Sequence, residues 1–276
     1  MKIAYTSDLH LDFWIDPKLQ GAKRERLVKN FADSLFGDMD ADLLVIAGDV
    51  GHYDDQNIAF LAEAAKRFEH IVLTWGNHDL YLVSRRQRER YKESFARLAA
   101  FKAKCEDLEG VKLLDGESVE IDGLRIWGSG MWYEVEDLGM WCSTMSDATK
   151  IVTSKSAVAR EIDDHGRVKS CYFDPNELYR REMERLGNLE YADVVVSHVP
   201  PLLFMADERP EFGEPYYFFN GKDAIERISP KVWIFGHKHS PYDLVYKQTR
   251  LVSTPLGYPL ASRRIDAAAK LASLEI

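Results

Sequence analysis

The chain has 276 residues, which is long enough for one large α/β domain or two small ones. Its 46% hydrophobic and 29% charged residues are typical of a globular enzyme, and no run approaches the roughly 18 apolar residues of a membrane-spanning helix. The formal net charge of -9 argues against extensive nucleic-acid binding. Three cysteines without paired spacing and the lack of a signal-peptide pattern predict a cytoplasmic protein without a disulfide framework.

The first part of the chain alternates strand-like and helix-like segments. Strands are predicted over residues 2–8, 43–49 and 70–77, and helices over about 21–36, 57–68 and 84–105. This alternation predicts a parallel sheet built from βαβ units.

After residue 105 the pattern changes to short strands, "VKLLD", "ESVEID" and "LRIWGSG". The dipeptides Asp115-Gly116 and Asp122-Gly123 separate them, and each predicts a hairpin turn. An aromatic- and methionine-rich segment follows, and the final strands are "KVWIFG", "YDLVY" and "RLVST". We therefore expect a single domain over residues 1–276, with an inserted cap or lid at about residues 131–221.

The densest basic run is "SRRQRER", from Ser84 to Arg90. Because Glu89 and Glu93 accompany its four arginines, we interpret the run as the solvated face of a helix.

Polar residues follow the predicted strands at the ends where open α/β sheets bind their ligands. Six of the eight histidines lie there, and only His70 and His165 lie elsewhere. The candidate residues are Asp8, His10, Asp49, His52, Asn77, His78, His198, His237 and His239. A single strand-end Asp most often caps a turn, but five such strand ends in one chain indicate a common site.

The candidate ligands combine carboxylates, imidazoles and an amide oxygen, a set that suits Mn²⁺, Fe²⁺ or Zn²⁺ better than Mg²⁺ or Ca²⁺. The absence of cysteine from the set argues against a structural zinc site or an iron–sulfur cluster. Seven candidate ligands are too many for one tetrahedral ion and suit two ions that share a carboxylate. Two such ions can hold the attacking and leaving oxygens of an in-line displacement, which predicts phosphorus chemistry.

The ordered blocks "SDLH", "AGDVGH", "WGNHD", "SH" and "GHKH" resemble the calcineurin-like metallophosphoesterase superfamily. They span residues 8 to 239 in the order of that family. The resemblance implies an α/β fold, a four-layer α/β/β/α sandwich of two mixed sheets with a dinuclear metal site at the strand ends.

The resemblance also implies ligand sets for two divalent ions, with manganese favoured over iron or zinc. One ion is assigned to Asp8, His10 and His239, the other to Asn77, His198 and His237, and Asp49 bridges both. In such enzymes a metal-bound hydroxide attacks phosphorus. The substrate class implied is a small phosphomonoester, phosphodiester or nucleotide-like molecule.

Two histidines are implied as catalytic residues. His78 corresponds to the residue that stabilises the transition-state oxygens or protonates the leaving group. His52 corresponds to a residue that forms a dyad with it in some members, and it is expected to orient His78 or to share the proton-donor role.

The second block separates branches of the family. Ser/Thr protein phosphatases carry G-D-x-x-D-R-G there, whereas this chain reads "GDVGHYD", so a protein phosphatase is not expected. His52 resembles a residue of Mre11-like nucleases, which leaves a nuclease acting on DNA ends as the alternative function. A third hypothesis is a non-catalytic scaffold on the same fold, and the complete ligand set argues against it.

Four residues outside the ligand set are expected to lie near the site or to support it. Asp12 is expected beside the ligands or facing solvent, and Asp79 is expected to cap or orient the turn after His78. Lys238 is expected to face away from its two histidine neighbours, without a metal role but within reach of a substrate phosphate. "STPLGYP" resembles the "NP-x-GY" ending of some members, so that Tyr258 either passes close to the metal site or belongs to an ordinary turn.

Aromatic residues of the expected cap have two interpretations that the sequence leaves open. They either stack on a nucleobase or form the core that fastens the cap to the sandwich, and we favour the core. The residues are Trp132, Tyr133, Trp141, Tyr216, Tyr217, Phe218 and Phe219.

Overall fold

The computed structural model describes residues 1–162, 166–203, 214–259 and 271–276. A five-stranded sheet occupies one side of the sandwich. Its spatial order is β13 (Ala272–Glu275), β1 (Lys2–Thr6), β2 (Leu43–Ala47), β3 (His70–Thr74) and β4 (Val111–Leu114). Strands β1 to β4 are parallel, as the alternation of strands and helices predicts, and β13 is antiparallel to β1.

A six-stranded sheet forms the other side. Its order is β11 (Tyr242–Tyr246), β12 (Thr249–Ser253), β10 (Val232–Ile234), β9 (Val194–Ser197), β6 (Leu124–Ser129) and β5 (Glu117–Ile121). The four central strands are parallel and the two edge strands are antiparallel to their neighbours, so this sheet is mixed. A separate small hairpin pairs β7 (Ala159–Ile162) with β8 (Val168–Cys171).

The helices cover the outer faces and the connections. They are α1 (Leu11–Trp14), α2 (Gly21–Phe36), α3 (Asp54–Ala64), α4 (Asn77–Leu80), α5 (Arg85–Tyr91), α6 (Ser94–Glu106), α7 (Leu138–Thr144), α8 (Asp147–Lys150), α9 (Pro175–Gly187) and α10 (Lys222–Ile228). A short 3₁₀ turn spans Glu214–Tyr217. In α2 the buried positions Val28, Phe31 and Leu35 recur at helical spacing, so one stripe of the helix packs on the core.

Alternation along the strands fills two separate apolar layers. Leu43 and Val45 of β2 pack between the sheets, in the same cluster as Val196 of β9. The intervening Leu44 and Ile46 belong to the cluster that includes the buried helix residues. Both faces of β2 are therefore buried, and the predicted α/β/β/α sandwich is confirmed.

Two of the three predictions about these local structures were wrong. The helix expected over residues 84–105 is two helices, because Lys92 has a positive φ of 66° and ends α5. The turn at Asp115-Gly116 is not a hairpin, since β4 pairs with β3 and β5 with β6, and the connection passes from one sheet to the other. Asp122-Gly123 does form the expected hairpin, with φ positive at both residues.

The range expected as a cap, residues 131–221, includes strand β9 at the centre of the second sheet. Residues 131–221 therefore do not form a cap along their whole length. The part outside the two large sheets, before α9, comprises α7, α8 and the β7–β8 hairpin, which contact one another. We refer to these elements together as the cap segment, residues 131–173.

All three cysteines are buried and unpaired. Across the described ranges, every helix is too short or too polar to cross a bilayer.

Candidate metal centre and active-site cleft

The carboxyl ends of five strands from both large sheets meet at one place. The backbone N–H of His237, after β10, donates to the Asp8 carboxylate at 3.1 Å, and Asp8 follows β1. The His198 ring, after β9, donates from Nδ1 to the carbonyl of Ala47 at the end of β2, at 2.9 Å. The backbone N–H of His78, after β3, donates to Asp49 Oδ1 at 2.8 Å. The predicted strand-end residues are thus brought together.

Backbone conformation at this site is unusual. Five of the seven predicted ligands have a positive φ, a conformation that costs a non-glycine residue about 1–3 kcal/mol. They are Asp8 (52°), His10 (45°), Asp49 (57°), His237 (72°) and His239 (51°). Sharp left-handed turns at the strand ends therefore aim these side chains inward, and the rest of the fold supports the strain.

Two glycines let the loops approach the charged side chains. A Cβ at Gly236 would lie 2.7 Å from Asp8 Oδ2, and a Cβ at Gly48 would lie 2.5 Å from His198 Nδ1. Both distances are shorter than a carbon–heteroatom contact allows. The glycines before His237 and Asp49 are thus required by the packing of the site itself.

The arrangement of His198, Asn77 and Asp49 suits a shared cation. Because His198 Nδ1 donates to a carbonyl, Nε2 of the neutral ring carries a lone pair, and it faces Asn77 Oδ1 at 3.1 Å and Asp49 Oδ2 at 3.4 Å. Asn77 cannot present its amide hydrogens instead, since Nδ2 donates to Asp147 Oδ1 at 2.9 Å and to the Tyr81 hydroxyl at 3.1 Å. Burial opposes protonation of His198, but the Asp49 carboxylate dominates and raises the pKa to about 10. A metal ion would satisfy the same three atoms.

A second group of potential metal-ligand atoms lies around His10. Its Nε2 is 3.0 Å from Nε2 of His239 and 3.8 Å from Asp49 Oδ2, and its buried Nδ1 has no hydrogen-bond partner in the described structure. His239 Nε2 also lies 3.2 Å from Asp8 Oδ1. Burial tends to raise the pKa of Asp8, but the His239 hydrogen bond and nearby His198 lower it to about 2.

Three sets of side chains bring ligand atoms within 4.8 Å of one another, a spacing that suits a shared cation. They are Asp8 with His10 and His239, His10 with Asp49 and His78, and Asp8 with Asp49 and His198. His237 belongs to none of these sets. Its Nε2 donates to the Tyr216 carbonyl at 3.3 Å, which leaves Nδ1 as the electron-pair donor, and its ring centroid is 5.0 Å from that of His198. Burial lowers the pKa of His237 to about 4, so the ring is neutral and able to coordinate a metal.

The two predicted catalytic histidines form a hydrogen-bonded chain with Asp12. Asp12 Oδ2 accepts from His52 Nδ1 at 2.7 Å, and His52 Nε2 lies 2.9 Å from His78 Nδ1. Asp12 Oδ1 also accepts the backbone N–H of His52 at 3.0 Å. Of the two expectations for Asp12, a place beside the site is confirmed, and solvent exposure is wrong.

The chain Asp12–His52–His78 sets the tautomer of each ring. With a proton on Nδ1 of His52 and on Nδ1 of His78, the His78 Nε2 lone pair points away from the chain. The Tyr258 hydroxyl lies 3.4 Å from this Nε2. Burial depresses the pKa of His78 well below its usual value, and the opposing effect of Asp49 is smaller.

The family model for calcineurin-like phosphoesterases matches residues 1–241. The chain belongs to this family. It is therefore a metallophosphoesterase, an enzyme that hydrolyses phosphate esters with divalent metal ions.

Two known proteins show how far the likeness extends. A solved structure of the phosphopantetheinyl hydrolase PptH from Mycobacterium tuberculosis superposes with a TM-score of 0.69 at 20% identity, over 99% of this chain and 95% of that one. An uncharacterised protein, L509, of Acanthamoeba polyphaga mimivirus is 21% identical over 93% of this chain and 91% of its own length. At these identities the solved structure supports the fold alone.

The cleft of this metallophosphoesterase has a volume of about 610 Å³. Lys238 and Tyr258 line it, as does Asn77, and the cap segment contributes residues 144–147. The Tyr258 ring stacks on His10 with centroids 4.5 Å apart, so the interpretation of Tyr258 as part of an ordinary turn away from the site is wrong.

Most cap aromatics belong to the core, as we favoured. Those with at most 3% exposure are Trp132, Tyr133, Trp141, Tyr216 and Phe219. Tyr217 is half-buried and lines the cleft, so it alone of the seven remains available to a substrate there. Phe218 lines a different, smaller pocket.

Sequence reasoning missed Asp147, the buried carboxylate that fixes Asn77. Its two oxygens also accept hydrogen bonds from the hydroxyls of Tyr81 and Tyr133. Asp147 lies in "MSDATK", a weakly patterned stretch of the cap segment, and nothing local distinguishes it from a surface aspartate.

Sequence reasoning also missed Arg97, a buried residue of α6. Its Nε donates to Asp54 Oδ1 at 2.9 Å, and its other nitrogens donate to the carbonyls of Gly51 and Tyr81, each at 2.9 Å. It thereby joins the loops that carry His52 and His78.

Asp79 has the predicted orienting role and extends it. Its carboxylate accepts the backbone N–H groups of Asp49 and Gly76, each at 2.8 Å, and that of Gly51 at 3.3 Å. Burial and the nearby Asp49 charge raise the pKa of Asp79 to about 6. The Asp79 carboxylate therefore joins the loop that carries Asp49 to the loop that carries His78.

Proposed function

We propose that this enzyme hydrolyses a small phosphomonoester, phosphodiester or nucleotide-like substrate at a two-metal centre, with manganese as the favoured ion. The observation that carries the proposal is the convergence of His198 Nε2, Asn77 Oδ1 and Asp49 Oδ2, three atoms that one cation would satisfy. The amide and imidazole ligands suit a borderline divalent ion.

The proposed ligand sets follow the family pattern. Asp8, His10 and His239 hold one ion, and Asn77, His198 and His237 hold the other. A bridging role for Asp49 is supported by its Oδ2, which lies 3.8 Å from His10 Nε2 and 3.4 Å from His198 Nε2. One carboxylate thus faces both ligand sets.

When bound, the two ions make a water molecule acidic enough to act as nucleophile near neutral pH and neutralise charge on the phosphoryl oxygens. The chain supplies the proton for the leaving oxygen. The proton reaches the leaving oxygen from His78 Nε2, and the Asp12 carboxylate balances the positive charge that the His52–His78 pair holds transiently.

The walls of the cleft hold the substrate. The Tyr258 hydroxyl and the Lys238 ammonium contact phosphoryl oxygens, and Tyr217 contacts the group attached to them. A cleft of about 610 Å³ suits a small ligand. The three buried free thiols are compatible with a reducing compartment, and we place the activity in the cytoplasm.

A metal-supplemented substrate panel tests the proposal. Full-length enzyme with Mn²⁺ is assayed against p-nitrophenyl phosphate, bis-p-nitrophenyl phosphate, cyclic nucleotides and phosphopantetheinyl esters, the last because of the activity for which PptH is named. Asp49→Ala should abolish hydrolysis and reduce the metal content measured by mass spectrometry. The matched control is Asp33→Ala, a partly exposed aspartate of α2 that pairs with Lys29 and Arg67 at the surface. Full activity of Asp49→Ala would refute the proposal.

Cleavage of DNA ends is the second candidate, and the contact between His52 and His78 favours it. Incubation with 5′-labelled single- and double-stranded DNA and Mn²⁺ should leave both intact if the substrate is small. Shortening of the labelled strands, lost in Asp49→Ala, would establish the nuclease instead.

A further inference from the structure

A second cleft, of about 690 Å³, lies behind the loop that carries His52. The segment before α2, the start of α3 and the helix α5 form its walls. No described residue lines both this cleft and the active-site cleft. We call it the basic cleft.

Four cationic side chains from three elements line the basic cleft. They are Lys18 before α2, Arg24 on α2, and Arg86 and Arg90 on α5. In the described ranges none of the four has an ion-pair partner, although the chain as a whole carries a net charge of -9. The run interpreted from sequence as an ordinary solvated helix face thus contributes half of this cluster.

The carboxylates of the basic cleft are already matched by other cations. Asp54 accepts from Arg97 Nε at 2.9 Å and from the Tyr91 hydroxyl at 2.8 Å, and Asp55 pairs with Lys104 at 2.7 Å. Arg24 and Arg90 also help to lower the pKa of Asp55, but two carboxylates shared with Arg97 and Lys104 leave the cleft with an excess of positive charge.

Hydrogen-bond donors also lack partners there. Arg24 Nε is buried and has no hydrogen-bond partner in the described structure. Helix α2, of 16 residues, begins at Gly21 on the cleft wall, without a side-chain cap and without an acidic residue in its first turn. The positive end of its dipole therefore adds to the charge of the arginines.

We propose that the basic cleft binds a small molecule carrying a chain of two or three phosphates. Four cations from three elements line the cleft, and a chain of phosphates presents more negative charge to them than a single phosphate does. Guanidinium groups also match phosphate oxygens in paired hydrogen bonds. The half-buried rings of Tyr53 and Tyr91 add flat apolar surface beside them. The shared chemistry is the polyphosphate chain, which either a nucleoside polyphosphate or a free polyphosphate supplies.

Calorimetric titration of the metal-loaded, full-length enzyme with imidodiphosphate and a non-hydrolysable nucleoside triphosphate tests the proposal. In an Asp49→Ala background, which lacks the bridging ligand of the proposed metal centre, one equivalent should still bind. Arg24→Gln/Arg86→Gln should weaken that binding at least tenfold. The matched control is Arg85→Gln, since Arg85 is a neighbour on α5 that is 92% exposed and paired with Glu89.

Because Arg24 is partly buried, Lys18→Gln/Arg86→Gln serves as a second variant that changes only exposed side chains. Circular dichroism verifies the fold of each. Tight binding of the nucleotide with none of imidodiphosphate would assign the site to the nucleoside and overturn the proposal. Equal losses in Arg85→Gln, loss of all binding in Asp49→Ala, or binding of oligonucleotides alone would overturn it too. These outcomes are independent of whether the metal centre hydrolyses esters.

Discussion

The two walls of the active-site cleft are built differently. On one wall, ligands follow the strands directly, at backbone angles that the sheets and the hydrogen bonds of Asp79 and Arg97 enforce. The other wall, the cap segment, reaches the centre through one buried carboxylate, Asp147, and its remaining cleft residues are partly exposed. The contrast teaches that backbone conformation positions the proposed metal ligands, whereas side chains on a thin, separate layer shape one wall of the cleft.

The largest effect should come from the strand-end wall. His78→Ala removes the residue placed to protonate the leaving group, so we expect kcat to fall about 10³-fold with metal content unchanged. Steady-state kinetics and metal analysis check both quantities, with half-exposed His70→Ala as control. A parallel loss of metal would instead make His78 a ligand, as its grouping with His10 and Asp49 permits.

A smaller effect should come from the cap wall. Asp147→Asn presents an amide to Asn77 and lets that side chain rotate, so metal affinity and kcat should fall about 10–100-fold. Asp137→Asn, the same change at the N-cap of α7, should leave both intact. If both variants behave alike, the cap does not orient the metal ligand.

The hydrogen-bonded chain behind His78 should matter less than His78 itself. Asp12→Asn places an amide N–H opposite His52 Nδ1 and reverses the tautomers of both rings, so kcat should fall roughly 10-fold while KM stays constant. The pH profile of kcat should also shift, which a purely structural role of Asp12 would not produce. The exposed Asp16→Asn is the control, and an unaltered profile would argue against proton transfer through this chain.

The smallest effect is expected at Tyr258. Tyr258→Phe keeps the stack on His10 and removes only the hydroxyl, so kcat/KM should fall about threefold, in the range of one hydrogen bond. Tyr172→Phe on the cap segment gives the baseline. A drop comparable to that of His78→Ala would give the hydroxyl a direct part in proton transfer.

The strand-end wall could be predicted from the sequence because each of its polar residues directly follows a recognisable strand. Asp8, Asn77 and His237 each follow an apolar run, and residue type together with sheet topology suffices to bring them to one edge. The cap wall could not be predicted in this way. Asp147 acts through Asn77, 70 positions away in the chain, and no local pattern reports such a pairing.

The Asp-Gly dipeptides did not reliably predict which strands pair. Asp115-Gly116 and Asp122-Gly123 look alike in sequence, but only the second joins strands that pair. The first connects two sheets, since β4 pairs with β3 in one sheet and β5 pairs with β6 in the other. The edge strand β13 also escaped prediction, since "ASLE" is short and its pairing with β1 spans almost the whole chain.

The left-handed backbone at the strand ends lowers the stability of the fold while it positions the side chains of the proposed metal centre. His239 has a φ of 51°, which glycine adopts without strain, so His239→Gly should raise the melting temperature of the metal-free protein while it removes a proposed ligand. The same opposition applies to His10. Selection for thermal stability alone would therefore favour substitutions that relieve the strain and remove these proposed ligands.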